Sequence, residues 1–216
     1  MFLTSTEADS IASRIADVEA RTGVQVIVAV VGRAARYPEA RWKAFALAVS
    51  ASALIIGCMG FLRPEWTMGG STFGDIIAVL AAGIANALVA TYLRGYQRVF
   101  VRDNRAAVEV RQYAEGLFLA RELFATPART AVLIVVGLFE RAVVVHADRG
   151  FSGHVATADW EAVVAPMTVA LRSGERAGAV QAGLAALQSL LVRRGFDGQR
   201  VGAGMLPDWP IEERGA

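Results

Sequence analysis

Apolar positions recur along this chain with three different rhythms. Ile11, Ile15 and Val18 are spaced by three and four residues, the repeat of a helix that buries one face. Thr4 and Glu7 stand ahead of them at the spacing of a capping box, and Gly23 follows, so the pattern predicts a first helix ending at Gly23. Val24 to Val31, VQVIVAVV, is apolar at nearly every position and rich in β-branched residues, which suits a strand covered on both faces. The third rhythm is unbroken: 44–62 and 76–93 carry no charge over about 19 residues each, the length a helix needs to cross a hydrocarbon core. Eight large apolar residues in each, at about half a kcal/mol apiece, favour insertion by roughly 4 kcal/mol, offset in part by Gly57, Gly60, Gly83 and Asn86. A hairpin of two membrane spans is therefore expected inside an otherwise soluble chain. Residues 37–43 should start a helix that runs into the first span, and the second should continue to about Arg102. The stretch from Arg63 to Asp75, with Pro64, Gly69, Gly70 and Gly74, can only turn the chain.

After the hairpin the soluble rhythm returns. Asn104 can cap a helix in which Ala107, Val110, Ala114, Leu117 and Phe118 repeat at helical steps, until Ala125 to Pro127 breaks it. Ala131 to Val136 and Ala142 to Val145 read as two antiparallel central strands joined around Phe139, Glu140 and Arg141, charges expected to be solvated in a tight turn. A helix from Thr157, its N-cap, to Leu171 and another from Glu175 to Arg194 follow. Gly178 and Gly183 in the last helix should let it approach the sheet closely. Residues 201–216, after Gly195 and Gly198, read as an irregular tail. The expected organisation is 1–40 and 99–200 as two parts of one α/β domain, with 41–98 as the transmembrane hairpin between them.

The cations decide orientation. Arg33, Arg36, Arg41 and Lys43 precede the first span and Arg94, Arg98, Arg102 and Arg105 follow the second, whereas the connecting loop holds Arg63 alone. By the positive-inside rule both termini face the cytoplasm, which places the chain in the inner (cytoplasmic) membrane as a two-span protein. Trp42, Trp66, Tyr92 and Tyr96 flank the spans, as rings with one wet edge should. A net charge of +2 and pI near 9.0 come mostly from this collar, so lipid rather than nucleic acid is the expected charged partner. Cys58 is the single cysteine and lies in the first span, which excludes an internal disulfide and a cysteine-based metal site.

Candidate chemistry is sparse. Asp148 ends a strand and Asp159 begins the following helix, and two carboxylates on neighbouring loops are suited to share a hard cation such as calcium or magnesium. His146 should point the same way as Val144 along its strand, as a core or cap residue rather than a base. Ser152 lies in FSGH, not in a nucleophile elbow, and Gly150-x-x-Gly153 lacks the rest of a phosphate loop.

One stretch resembles a known family. TAVLIVVGLFERAVVVHADRG from Thr130, then Trp160, then Pro166 and Met167, then LRSGERAGAVQAGLAALQSLL from Leu171 are similar to the TPM domain family. The family pattern is an apolar strand, a turn with Glu-Arg, a second strand ending in Asp-x-Gly, a later Trp and a glycine-bearing last helix. It matches Ala131 to Ile134, Glu140 and Arg141, Asp148 to Gly150, Trp160, and Gly174, Gly178 and Gly183. The resemblance implies an α/β fold, an α/β/α sandwich of the TPM type, here interrupted by the hairpin. It also implies functions linked to weak acid phosphatase activity, divalent cation binding, or assembly and maintenance of membrane complexes. The chain departs from the pattern where many members carry Asp-Asn-Gly before the first of these strands, since Arg129, Thr130 and Ala131 stand there. The expected function is thus a non-enzymatic interaction or assembly factor for membrane proteins at the cytoplasmic face, with a divalent-metal-dependent phosphatase at the Asp148 loop as the alternative. Small residues in the spans would also permit a homo-oligomer.

Overall fold

The computed structural model describes residues 2–62, 72–196, 198 and 209–215. They divide into two compact units, one built from Met1–Ala35 with Asp103–Ala216 and the other from Arg36–Arg102.

In the first unit, α1 spans Ser5–Thr22. The Thr4 hydroxyl accepts from the Glu7 amide at 3.3 Å while the Glu7 carboxylate accepts from the Thr4 amide at 2.7 Å, closing the capping box that the sequence announces. Gly23 ends the helix at φ 64°, a backbone region costly for any residue with a Cβ. The buried Glu19 carboxylate then accepts from the Val26 amide and from Gln25 Nε2, each at 2.7 Å, tying α1 to the strand that follows.

That strand, β1 (Gln25–Val31), runs parallel to β2 (Ala131–Gly137), which pairs antiparallel with β3 (Ala142–Ala147). A short strand, β4 (Ile211–Glu213), adds in parallel on the far side of β1, so the sheet order is β3-β2-β1-β4. Alternation sorts the strand residues between two layers. Val26, Val28, Val30, Val132, Ile134 and Val136 pack in one core with α1, α6 (Thr157–Arg172) and α7 (Arg176–Arg193). Ile27, Ala29, Val31, Leu133 and Val135 pack in the other with α5 (Asp103–Ala120) and Leu123. Helices therefore cover both faces, as strands apolar on both sides require.

Five local expectations change. β3 is antiparallel to β2 as expected, but it lies at the edge of the sheet, because β1 takes the central place beside β2. Residues 211–213, within the expected tail, form β4; the tail positions 201–208 lie outside the described residues. Asn104 is inside the first turn of α5 rather than its cap. At the start of α6 the N-cap position is Ala156, not Thr157, and Asp159 reaches back to accept from the Ala156 amide at 2.9 Å. Gly183 has its close contact with Met167 of α6 rather than with the sheet: a Cβ there would stand 2.2 Å from the Met167 sulfur.

The second unit is a helical hairpin. α2 covers Pro38–Leu62, taking residues 38–43 into the same helix as the apolar stretch, and α3 covers Thr72–Tyr92. Both are long and apolar enough to cross a membrane, and of their most apolar stretches none of α2 and 11% of α3 is buried. The expected turn from Arg63 to Asp75 lies outside the described residues as far as 71, together with Trp66, and from Thr72 onward it is already helix. The helices approach closely at Gly83, where a Cβ would come within 2.6 Å of Val49 and 2.7 Å of Phe45. Asn86 Nδ2 donates to the Ala44 carbonyl at 2.8 Å, an interhelical hydrogen bond at the point where a polar residue interrupts the apolar run.

The second helix does not run on to Arg102. Leu93 adopts extended angles (φ −96°, ψ 96°) and a separate short helix, α4 (Arg94–Val99), follows. The break folds Tyr96 back so that its hydroxyl donates to Asn86 Oδ1 at 2.9 Å, giving that buried-side amide a second partner. Lys43 in turn donates to the Phe100 carbonyl at 2.9 Å.

Candidate functional site

β3 consists of AVVVHA, uncharged and β-branched at three positions in a row, and among the described residues it pairs on one side only. Edge strands of soluble proteins are usually blunted by lysine, proline, a bulge or brevity, because unpaired backbone groups invite another strand. None of these devices is present in Ala142–Ala147. A groove of about 630 Å³ runs beside the strand, bounded by Arg111 and Glu115 on α5 and by Trp160, Glu161 and Val164 on α6. Its floor is half-buried Val144, Val145 and His146, and its rims carry exposed charges of both signs.

Aromatic packing supports the groove. Trp160 meets Phe151 edge to face (ring centroids 5.4 Å apart, planes at 90°), and Phe151 packs in turn on Phe196 at 5.1 Å. His146 shares the face of Ala142 and Val144, as the alternation predicts, and its ring lies 4.7 Å from that of Phe118 on α5. It is thus a half-buried packing residue beneath the groove. His154 is exposed and leans on Phe196 at 6.2 Å.

The two expected metal ligands are each engaged by an arginine. Asp148, 6% exposed, forms a fork with Arg129: Nε lies 2.9 Å from Oδ2 and a terminal guanidinium nitrogen 2.9 Å from Oδ1. Asp148 Oδ1 also accepts from the Arg149 amide at 2.7 Å, capping the turn of 3-10 helix at Arg149–Phe151. Gly150 in that turn is indispensable, since a Cβ would meet the Arg129 and Ala128 carbonyl oxygens at 2.5 and 2.7 Å. Asp159 pairs with Arg194 while capping α6, and these hydrogen bonds, the one from Arg194 foremost, hold its carboxyl below the usual carboxylate range. Among the described residues no group of three His, Cys, Asp or Glu side chains is gathered for a cation.

Glu140, expected to be a solvated turn residue, is 1% exposed and accepts from the Ala34 amide at 3.0 Å. The turn itself supplies the reason: Arg141 takes positive φ (51°) and stays exposed, and this geometry swings Glu140 inward to lie over Gly137. Beside it, the Arg33 guanidinium stacks 4.2 Å above the Phe139 ring. A further carboxylate, Glu213 on β4, accepts from the Tyr113 hydroxyl and lies 3.6 Å from Arg121. Burial, then the hydrogen bond to Glu213, push the Tyr113 hydroxyl well above its ordinary pKa. Sequence reading misses this last group because β4 has no periodicity of its own; the charged Glu212 and Glu213 beside Ile211 give no strand signal.

No family model matches the chain, and no curated protein matches it. Among solved structures, the NMR structure of the BA42 protein from the psychrophilic bacterium Bizionia argentinensis sp. nov. is similar, with a TM-score of 0.59 and 14% identity over 98% of this chain and 96% of that one. At that identity the likeness is one of fold alone.

Proposed function

We propose that this chain is a membrane-tethered, TPM-like interaction module: the α2–α3 hairpin anchors it in the inner membrane, and the α/β unit presents the β3 edge to an extended segment of another membrane protein at the cytoplasmic face. The observation that carries the reading is the undefended edge strand with its preformed groove. An incoming strand would satisfy the open backbone groups of β3, and its side chains would meet Trp160 and Val164 on one side and the Arg111–Glu115 rim on the other, which is recognition by strand addition. The hairpin favours membrane location because its large apolar side chains, such as Leu54, Phe61 and Ile77, are exposed and need an apolar medium. Both termini then lie on the cytoplasmic side, where the arginines flanking the hairpin meet anionic lipid.

The experiment is capture of partners by the full chain, extracted from membranes in mild detergent after crosslinking. Arg111→Glu combined with Glu161→Lys makes the α5 rim of the groove wholly acidic and the α6 rim basic and alters only exposed residues, so the fold should be unchanged while the crosslinked partner is lost. Equal capture by the double variant would discard the strand-addition reading.

The alternative, a metal-assisted phosphomonoester hydrolase at Asp148, would need a cation to compete with Arg129 for both carboxylate oxygens. Its test is divalent-dependent turnover of a chromogenic phosphate that disappears in Asp148→Asn.

A further inference from the structure

A second cavity, of about 440 Å³, lies within the hairpin unit between α2 and α3. Its lining positions recur at three- and four-residue steps on each helix, so one face of each helix forms one wall. The cavity has a polar end and an apolar end. Arg41 and Thr91 stand at one, Phe45, Ile84 and Leu88 at the other, and the Trp42 indole, 72% exposed and edge-on to Phe45 at 6.2 Å, borders it. The hydrogen bond from Asn86 to the Ala44 carbonyl fixes the helix separation at this level, so the groove is preformed.

Charge selects the occupant. Among the described residues no side chain accepts from the exposed Arg41 guanidinium, and within Arg36–Arg102 the charged residues at this end of the hairpin are Arg36, Arg41, Lys43, Arg94, Arg98 and Arg102 against Glu39. A ligand with an anionic head and a long apolar tail matches both ends. We propose that the groove binds one anionic phospholipid, its phosphate on Arg41 and an acyl chain along Phe45, Ile84 and Leu88. This rests on the hairpin being embedded in a bilayer.

The test uses the full chain reconstituted in phosphatidylcholine vesicles containing a minor fraction of phosphatidylglycerol, re-extracted in mild detergent, with retained lipid counted by native mass spectrometry. Wild type should retain phosphatidylglycerol about tenfold above its vesicle fraction, the scale of one charge-assisted contact. Arg41→Gln should abolish the enrichment and Arg41→Lys largely preserve it. Leu88→Trp should plug the tail channel and lose bound lipid of either kind, whereas Arg94→Gln, in the collar but outside the groove, should match wild type. Phosphatidylglycerol retained at its vesicle fraction, or an equal loss in Arg94→Gln and Arg41→Gln, overturns the site in favour of diffuse surface charge. A chain recovered from cells in the salt-washed soluble fraction would instead remove the membrane reading beneath it.

Discussion

Two regions of this chain use the same apolar alphabet to opposite ends. In β1 and β2, Val28, Ala29, Leu133 and Ile134 are completely or almost completely buried between two helical layers. In α2 and α3, Leu54, Ile55, Phe61 and Ile84 remain more than half exposed although they lie in apolar stretches without a charge. The difference lies in length and partner number. A seven-residue strand has neighbours on four sides, whereas each hairpin helix has one principal neighbour and leaves most of its circumference bare. What buries the first set is protein; what is expected to bury the second is lipid.

The bluntest way to break this contrast is to remove one side of it. Replacing residues 36–102 by a short flexible linker should move the α/β unit from the membrane pellet to the soluble fraction with a cooperative thermal transition, because its two cores draw on residues outside the hairpin. Aggregation of that variant without detergent would mean the hairpin is part of the fold. A smaller effect separates buried from exposed leucines. Leu184→Ala, fully buried on α7, should cost about 2–5 kcal/mol in denaturant unfolding, while Leu54→Ala, 68% exposed, should stay within about 0.5 kcal/mol in detergent.

Close packing sharpens the comparison, since both regions use a helical glycine for it. Gly183→Ala pushes against the flexible end of Met167 and should cost about 1–3 kcal/mol; Gly83→Leu collides with Phe45 and Val49 and should abolish crosslinking between cysteines placed across α2 and α3. The smallest expected effects are those of pH on the soluble unit. The depressed carboxyl of Asp159 contributes stability that is present above its unfolded value of about 3.9 and lost as pH falls through the lower folded value. Tyr113 works in the other direction: its raised folded value means a contribution present below about 10 and lost as pH rises beyond it. Melting temperatures of Asp159→Asn and Tyr113→Phe should therefore converge with wild type at the acid and alkaline extremes respectively.

Local, short-range information was largely readable. The Thr4 capping box, the Gly23 terminus, the two-sided apolarity of β1 and β2 and the uncharged length of the spans are properties of neighbouring residues, and neighbours suffice to determine them. The groove was less accessible. Its residues come from α5, β3 and α6, and Arg111 and Trp160 carry no signal that they will face each other across a strand. The place of Asp148 at a strand end is legible, but its fork with Arg129 depends on a pairing across 19 residues.

By itself, then, the sequence determined the elements and their chemical faces: which stretches are amphipathic, which are apolar on both sides, and which are too long and uncharged for an ordinary core. Only the tertiary structure decided neighbours. It put β3 at the edge, recruited Ile211–Glu213 as a fourth strand, turned Glu140 inward and broke α3 at Leu93 so that Tyr96 could meet Asn86. The physical reason is that the last three outcomes satisfy a polar or backbone group through a partner distant along the chain or beyond a backbone break, and β3 falls at the edge because the distant β1 takes the other side of β2; no periodicity of nearby residues encodes such a partner.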